Sequence, residues 1–199
     1  MMFYKFQHKL AFSIFMLFSI VSYPSTSEEK TFTENHAIVP PPKCENNLNE
    51  LVYYNQIEVQ NLSFASGMAK RNEEKQPVVF RFNYKKSEPL VQKFIDYHEC
   101  AHHETGDIDR PHPPRNSFDH LMNESIADCI ATLRLRDEDL IREDEFELLK
   151  SSLVKDMKKA NFQQITIESR ISNIDNCFLK FVAKKDFLAG VLEERNLKN

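Results

Sequence analysis

Between Ser87 and Gly106 the apolar residues recur at helical spacing. Leu90, Phe94, Tyr97 and Ala101 form one line, and Val91, Ile95, His98 and His102 form the line beside it. The pattern predicts a helix from about Glu88 to Glu104. Ser87, Glu88 and Pro89 supply its start, and Gly106 its stop. DIDRPHPPRN (107–116) carries three prolines and reads as a loop. Ser117 then caps a second helix over 118–136, with Leu121, Ile126, Ile130 and Leu133 on its apolar side. A third helix is expected from near Ile141, with Phe146, Leu149, Leu153 and Met157 on one face. A fourth falls within 167–185, and the tail with Phe187, Leu188, Val191 and Leu192 reads as helical. Upstream, PVVFRFNY (77–84) alternates like a strand. Residues 51–54 and 57–62 fit a strand or a short helix equally well. The expected class is α+β, mainly helical, with a short β-sheet.

The first 27 residues depart from this pattern. Lys5 and Lys9 precede an apolar run from Leu10 to Val21, then Pro24 and the small residues Ser25, Thr26 and Ser27. That order predicts an export signal over 1–27 and a secreted or periplasmic protein. The run is shorter than the roughly 20 residues a membrane-spanning helix needs. Residues 28–47, with Pro40, Pro41 and Pro42, read as an extended arm. Residues 48–199 form one domain.

Setting aside Lys5 and Lys9 leaves 24 basic against 30 acidic residues, a formal charge of −6. With the basic residues scattered, this disfavours nucleic acid and anionic membrane surfaces as partners. Glycine occurs only at 67, 106 and 190, and no glycine-rich phosphate loop is present. Four cysteines (44, 100, 129 and 177) in an exported chain predict disulfides, with three pairings possible. Oligomeric state leaves no signature.

HECAHH (98–103) gathers three of the chain's seven histidines. His98 and His102 stand one helical turn apart on one face, so both rings can reach one metal ion. Glu99 lies about 100° round the helix, placed to take a proton from water at that metal without ligating it. Two histidines need a third ligand. NESIAD (123–128) offers Glu124 on the next predicted helix, with Asp128 one turn further on the same face. Asp128 suits the far nitrogen of a metal-bound imidazole.

HECAH followed by NESIAD resembles the gluzincin metallopeptidases, the thermolysin-like HExxH…NExxxD group. The fuller string is also similar to small bacterial zinc peptidases with an HExxHH…ExxADC signature. The resemblance covers about residues 77–136. It implies a small zincin-like domain that binds one zinc ion through His98, His102 and Glu124. It also implies Glu99 as general base, Asp128 behind His98, and a peptide or protein substrate. An edge strand beside the active helix would receive that substrate, and PVVFRFNY is the candidate. No motif marks the group that would stabilise the oxyanion; His120, His112 and Arg170 are the candidates. His103 and Cys100 point away from the metal. A Cys100–Cys129 bridge would tie the two motif helices together, with Cys44–Cys177 as its complement. The leading expectation is therefore a zinc endopeptidase. The alternatives are a catalytically silent zinc protein, and a latent peptidase in which the segment before Pro77 or the tail after Lys180 covers the cleft.

Overall fold

A computed structural model describes residues 35–197. The predicted export signal and the first residues of the arm lie outside them. Three strands come first: β1 (Tyr53–Ile57), β2 (Ser66–Arg71) and β3 (Pro77–Phe82). Five helices follow: α1 (Pro89–Glu104), α2 (Phe118–Asp137), α3 (Glu143–Lys159), α4 (Gln164–Phe178) and α5 (Lys184–Glu194). The α+β, mainly helical class holds. Among the described residues no helix is long and apolar enough to cross a membrane.

The sheet order is β1-β3-β2, with β1 parallel and β2 antiparallel to β3. This corrects one expectation. PVVFRF is the central strand, covered on both sides, as its run of buried Pro77, Val78 and Val79 requires. The edge strand beside α1 is β2, which the sequence did not announce. Its single large apolar residue, Met68, is exposed, and it otherwise carries small or charged side chains.

Helix α1 is the centre of the molecule. Val91, Phe94 and Tyr97 pack against Leu149, Leu153 and Met157 of α3 and Ile167 and Ile174 of α4. Its opposite side meets the sheet. There Asp96 accepts hydrogen bonds from Arg81 Nε (3.1 Å) and Tyr84 Oη (2.9 Å), all three residues being buried. His103 also faces the sheet, and its ring nitrogen lies 3.2 Å from the Val78 carbonyl. Burial pushes the His103 pKa down to about 4, so the ring is a neutral donor. A helix pinned on two faces leaves its third face free to carry fixed polar groups.

Helix starts differ in detail from expectation. Glu88, not Ser87, is the residue before α1, and Pro89 occupies the first turn. Ser87 instead accepts from the Ala65 amide and donates to Asp156 of α3. Ser117 does cap α2, accepting from the His120 amide. Leu121 is exposed, together with Phe118 and Met122. The buried face of α2 is Ala127, Ile130, Ala131 and Leu133.

The disulfides are Cys44–Cys100 and Cys129–Cys177. The pairing that would have tied α1 to α2 is therefore overturned. Cys100 faces the sheet side of α1 among Cys44, Val52 and Val79, whereas Cys129 faces α4. Cys44–Cys100 fastens the extended arm to α1, and Cys129–Cys177 fastens α4 to α2. Two buried disulfides suit an extracellular or periplasmic protein. The second closes 48 residues of chain. The double substitution Cys129→Ala/Cys177→Ala should lower stability by about 2–5 kcal/mol, read by denaturant unfolding.

Candidate metal centre

The helical spacing of His98 and His102 brings their Nε2 atoms to 3.2 Å from each other. Glu124 of α2 reaches across, with Oε2 3.4 Å from His98 Nε2 and Oε1 3.5 Å from His102 Nε2. Three donor atoms, each about 2.1 Å from one ion in a tetrahedron, would stand roughly 3.3–3.4 Å apart. The 3.2 Å between the two imidazole nitrogens is close to that figure, and the two oxygens of the Glu124 carboxylate face one nitrogen each at 3.4 and 3.5 Å. His98, His102 and Glu124 form the group among the described residues that could hold a metal ion.

The electrostatics point the same way. Burial by itself lowers an imidazole pKa, yet Asp128 and Glu124 outweigh it and raise His98 to about 9. For His102 burial is again outweighed, here by Asp107 and Glu124, and the pKa rises to about 10. Burial pushes Glu124 up, but His102 and His98 prevail and hold it far below the usual carboxylate range. The pocket attracts positive charge.

Each ring is backed by a carboxylate. Asp128 Oδ1 lies 2.9 Å from His98 Nδ1, an ion-pair distance reached without hydrogen-bond alignment. Arg170 of α4 donates to both Asp128 oxygens, at 2.9 and 2.6 Å, while its Nη1 stands 3.9 Å from Glu124 Oε2. Arg170, a candidate for the oxyanion, is thus committed to Asp128. Behind His102 the partner is Asp107, with Oδ2 3.0 Å from Nδ1. The sequence reading missed Asp107. Its signal is an acid placed directly after the helix-ending Gly106, where a φ of +70° turns the chain back beneath the last turn.

Glu99 lies beside the ring pair and accepts a 2.7 Å hydrogen bond from the Ala69 amide of β2. Strand and helix approach closely there because residue 67 is glycine. A Cβ at Gly67 would strike Glu99 Cγ and lie 2.7 Å from Glu99 Oε1 and 2.8 Å from Ile95 Cγ2. Gly67→Ala should therefore cost about 1–3 kcal/mol in unfolding free energy and dislodge the Glu99 carboxylate from β2. Chemical denaturation measures the first, and a structure of the variant the second.

His98, Glu99, His102 and Glu124 all line one cavity of about 400 Å³. Its deep wall is apolar, with Val91, Phe94, Ile95, Leu153, Met157 and Ile174. Its rim carries His112 from the 107–116 loop and His120 from the first turn of α2. Residues 64–69 form one side. Nothing from 35–63 and nothing after Ile174 lines it; of the segment ahead of Pro77, residues 64–69 are the part that borders the cleft. His103 and Cys100 lie on the sheet side of α1, away from the ligand atoms. No protein-family model, no curated protein and no solved structure matches this chain.

Proposed function

We propose that this chain is a zinc-dependent endopeptidase of gluzincin type. The observation that carries the reading is two imidazole nitrogens 3.2 Å apart, faced by the Glu124 carboxylate at 3.4 and 3.5 Å, in a cavity also lined by a fixed carboxylate, Glu99. Two imidazoles and one carboxylate are the protein donor set of catalytic zinc sites, and His98, His102 and Glu124 would hold such an ion. A bound zinc ion supplies Lewis acidity to a water molecule and to the scissile carbonyl.

The chain's own groups do the rest. Glu99 takes a proton from the attacking water, the water oxygen bonds to the carbonyl carbon, and the C–N bond breaks. Glu99 returns the proton to the departing amine nitrogen. Ala69 N–H holds Glu99 in one rotamer. His120 and His112 stand at the rim as donors to the developing oxyanion. The open edge of β2 accepts the extended substrate backbone in place of the central β3. The apolar wall receives a large apolar side chain.

The test is a peptide library incubated with the chain carrying one equivalent of zinc, and with the chelated chain. Cleavage should fall next to leucine- or phenylalanine-sized residues and stop on chelation. One tightly bound zinc per chain with no cleavage at all would sink the peptidase reading in favour of a catalytically silent zinc protein.

A further inference from the structure

Arg195 closes α5, and the sequence gives it no evident task. Its side chain is only 10% exposed. One terminal nitrogen donates to Asp107 Oδ1 at 2.7 Å and to the Thr105 carbonyl at 2.9 Å. The other donates to Asn123 Oδ1 at 2.7 Å. These partners belong to the two halves of the candidate metal site. Asp107 holds the His102 ring, and Asn123 immediately precedes Glu124 on α2. A planar guanidinium with a rigid fork of donors can fix both at once.

Other contacts place α5 across the same two helices. Lys184, in its first turn, pairs with Glu104 at the end of α1 at 2.6 Å. Phe187 and Leu188 pack on the cluster of Ala101 from α1 with Ala127 and Ile130 from α2. Leu197, just past α5, sits over Gly106, where a Cβ would come within 3.0 Å of it. Thus α5 straps α1 to α2 on the side away from the cleft, and Arg195 is the buckle at the metal end. Arg110 also reaches Asp107, at 2.7 Å, but its side chain is 41% exposed and it leaves α2 untouched.

We infer that Arg195 is a positioning residue for the metal site. It sets the separation of the two ligand-bearing helices through Asp107 and Asn123, and so couples metal affinity to the docking of α5. This rests on the metal-site reading above. Coupling is reciprocal: whatever factor docking of the α5 end contributes to metal affinity, bound metal must return as protection of that end against opening.

The experiment has two arms. In the first, zinc affinity is measured by competition with a chromophoric chelator for the unaltered chain, Arg195→Ala, Arg195→Lys and Lys184→Ala. Arg195→Ala should weaken binding about tenfold, at the lower end of what outer partners of metal ligands contribute. Arg195→Lys should recover it only in part, because an ammonium cannot span Asp107 and Asn123 in the same fork. Lys184→Ala, which loosens the other end of α5, should bind zinc as the unaltered chain does. An unchanged affinity in Arg195→Ala, or equal losses in Arg195→Ala and Lys184→Ala, would overturn the assignment.

The second arm needs no variant and stands even where Arg195→Ala fails to fold. Hydrogen exchange of the Arg195 and Leu197 amides, bonded to the Val191 and Leu192 carbonyls, is followed with and without zinc. Slower exchange with zinc is expected, and identical rates would count against the coupling. An unaltered chain that binds no zinc would remove the metal-site reading itself. Zinc binding without an Arg195 effect removes only this inference.

Discussion

Glu99→Gln should abolish peptide hydrolysis and leave metal binding intact. The substitution conserves size, and the amide oxygen of glutamine can still accept the Ala69 amide now bonded to Glu99. The hydrogen bond to β2 therefore survives. What disappears is a group able to take a proton from water and deliver it to the leaving amine. Loss of a general base costs roughly 10²–10⁴-fold in rate. Glu99 is not one of the three converging donors, so the zinc content of the variant should match that of the unaltered chain. Peptide hydrolysis and metal analysis on the same preparations check both halves. Hydrolysis that persists in Glu99→Gln refutes the assigned mechanism.

Glu124→Ala carries the second large effect, and it falls on the metal rather than on the rate alone. Two imidazoles remain, without the carboxylate that spans both Nε2 atoms. Asp128, one turn further along α2, cannot replace it. Its oxygens are occupied by Arg170 at 2.9 and 2.6 Å, and it faces His98 Nδ1 rather than Nε2. The loss should exceed the roughly 10–100-fold typical of removing an outer partner. Zinc should then no longer raise the melting temperature, because stabilisation by a ligand follows its concentration relative to Kd. Chelator competition and thermal unfolding, each with and without zinc, read the effect. Undiminished affinity would remove Glu124 from the ligand set.

Much of the site is local in origin, and that part could be read along the chain. His98 and His102 share a face because a helix returns to the same side every 3.6 residues. The helix itself is announced by Val91, Phe94 and Tyr97 and ended by Gly106. Glu124 and Asp128 share a face of α2 for the same reason. The same logic misplaced Leu121. It fits the apolar period, but that end of α2 projects past the core and leaves Leu121 in water. The strand β2 escaped notice because its burial comes from the neighbouring β3 and α1 rather than from its own side chains. Gly67 gave no hint that Glu99 presses against it.

Periodicity along the chain thus determined the principal helices, the α+β class and the three donors that the fold brings together. The order of the strands, the disulfide partners and the groups behind His102 were decided only in three dimensions. Cys100 pairs with Cys44 because the sheet side of α1 faces the arm, and Cys129 pairs with Cys177 because α2 lies on α4. Asp107 meets His102 through a left-handed turn at Gly106, and Arg195 reaches Asp107 from 88 residues away in sequence. Contacts of that kind join surfaces whose relative placement depends on the packing of the whole core, and no short-range pattern encodes them.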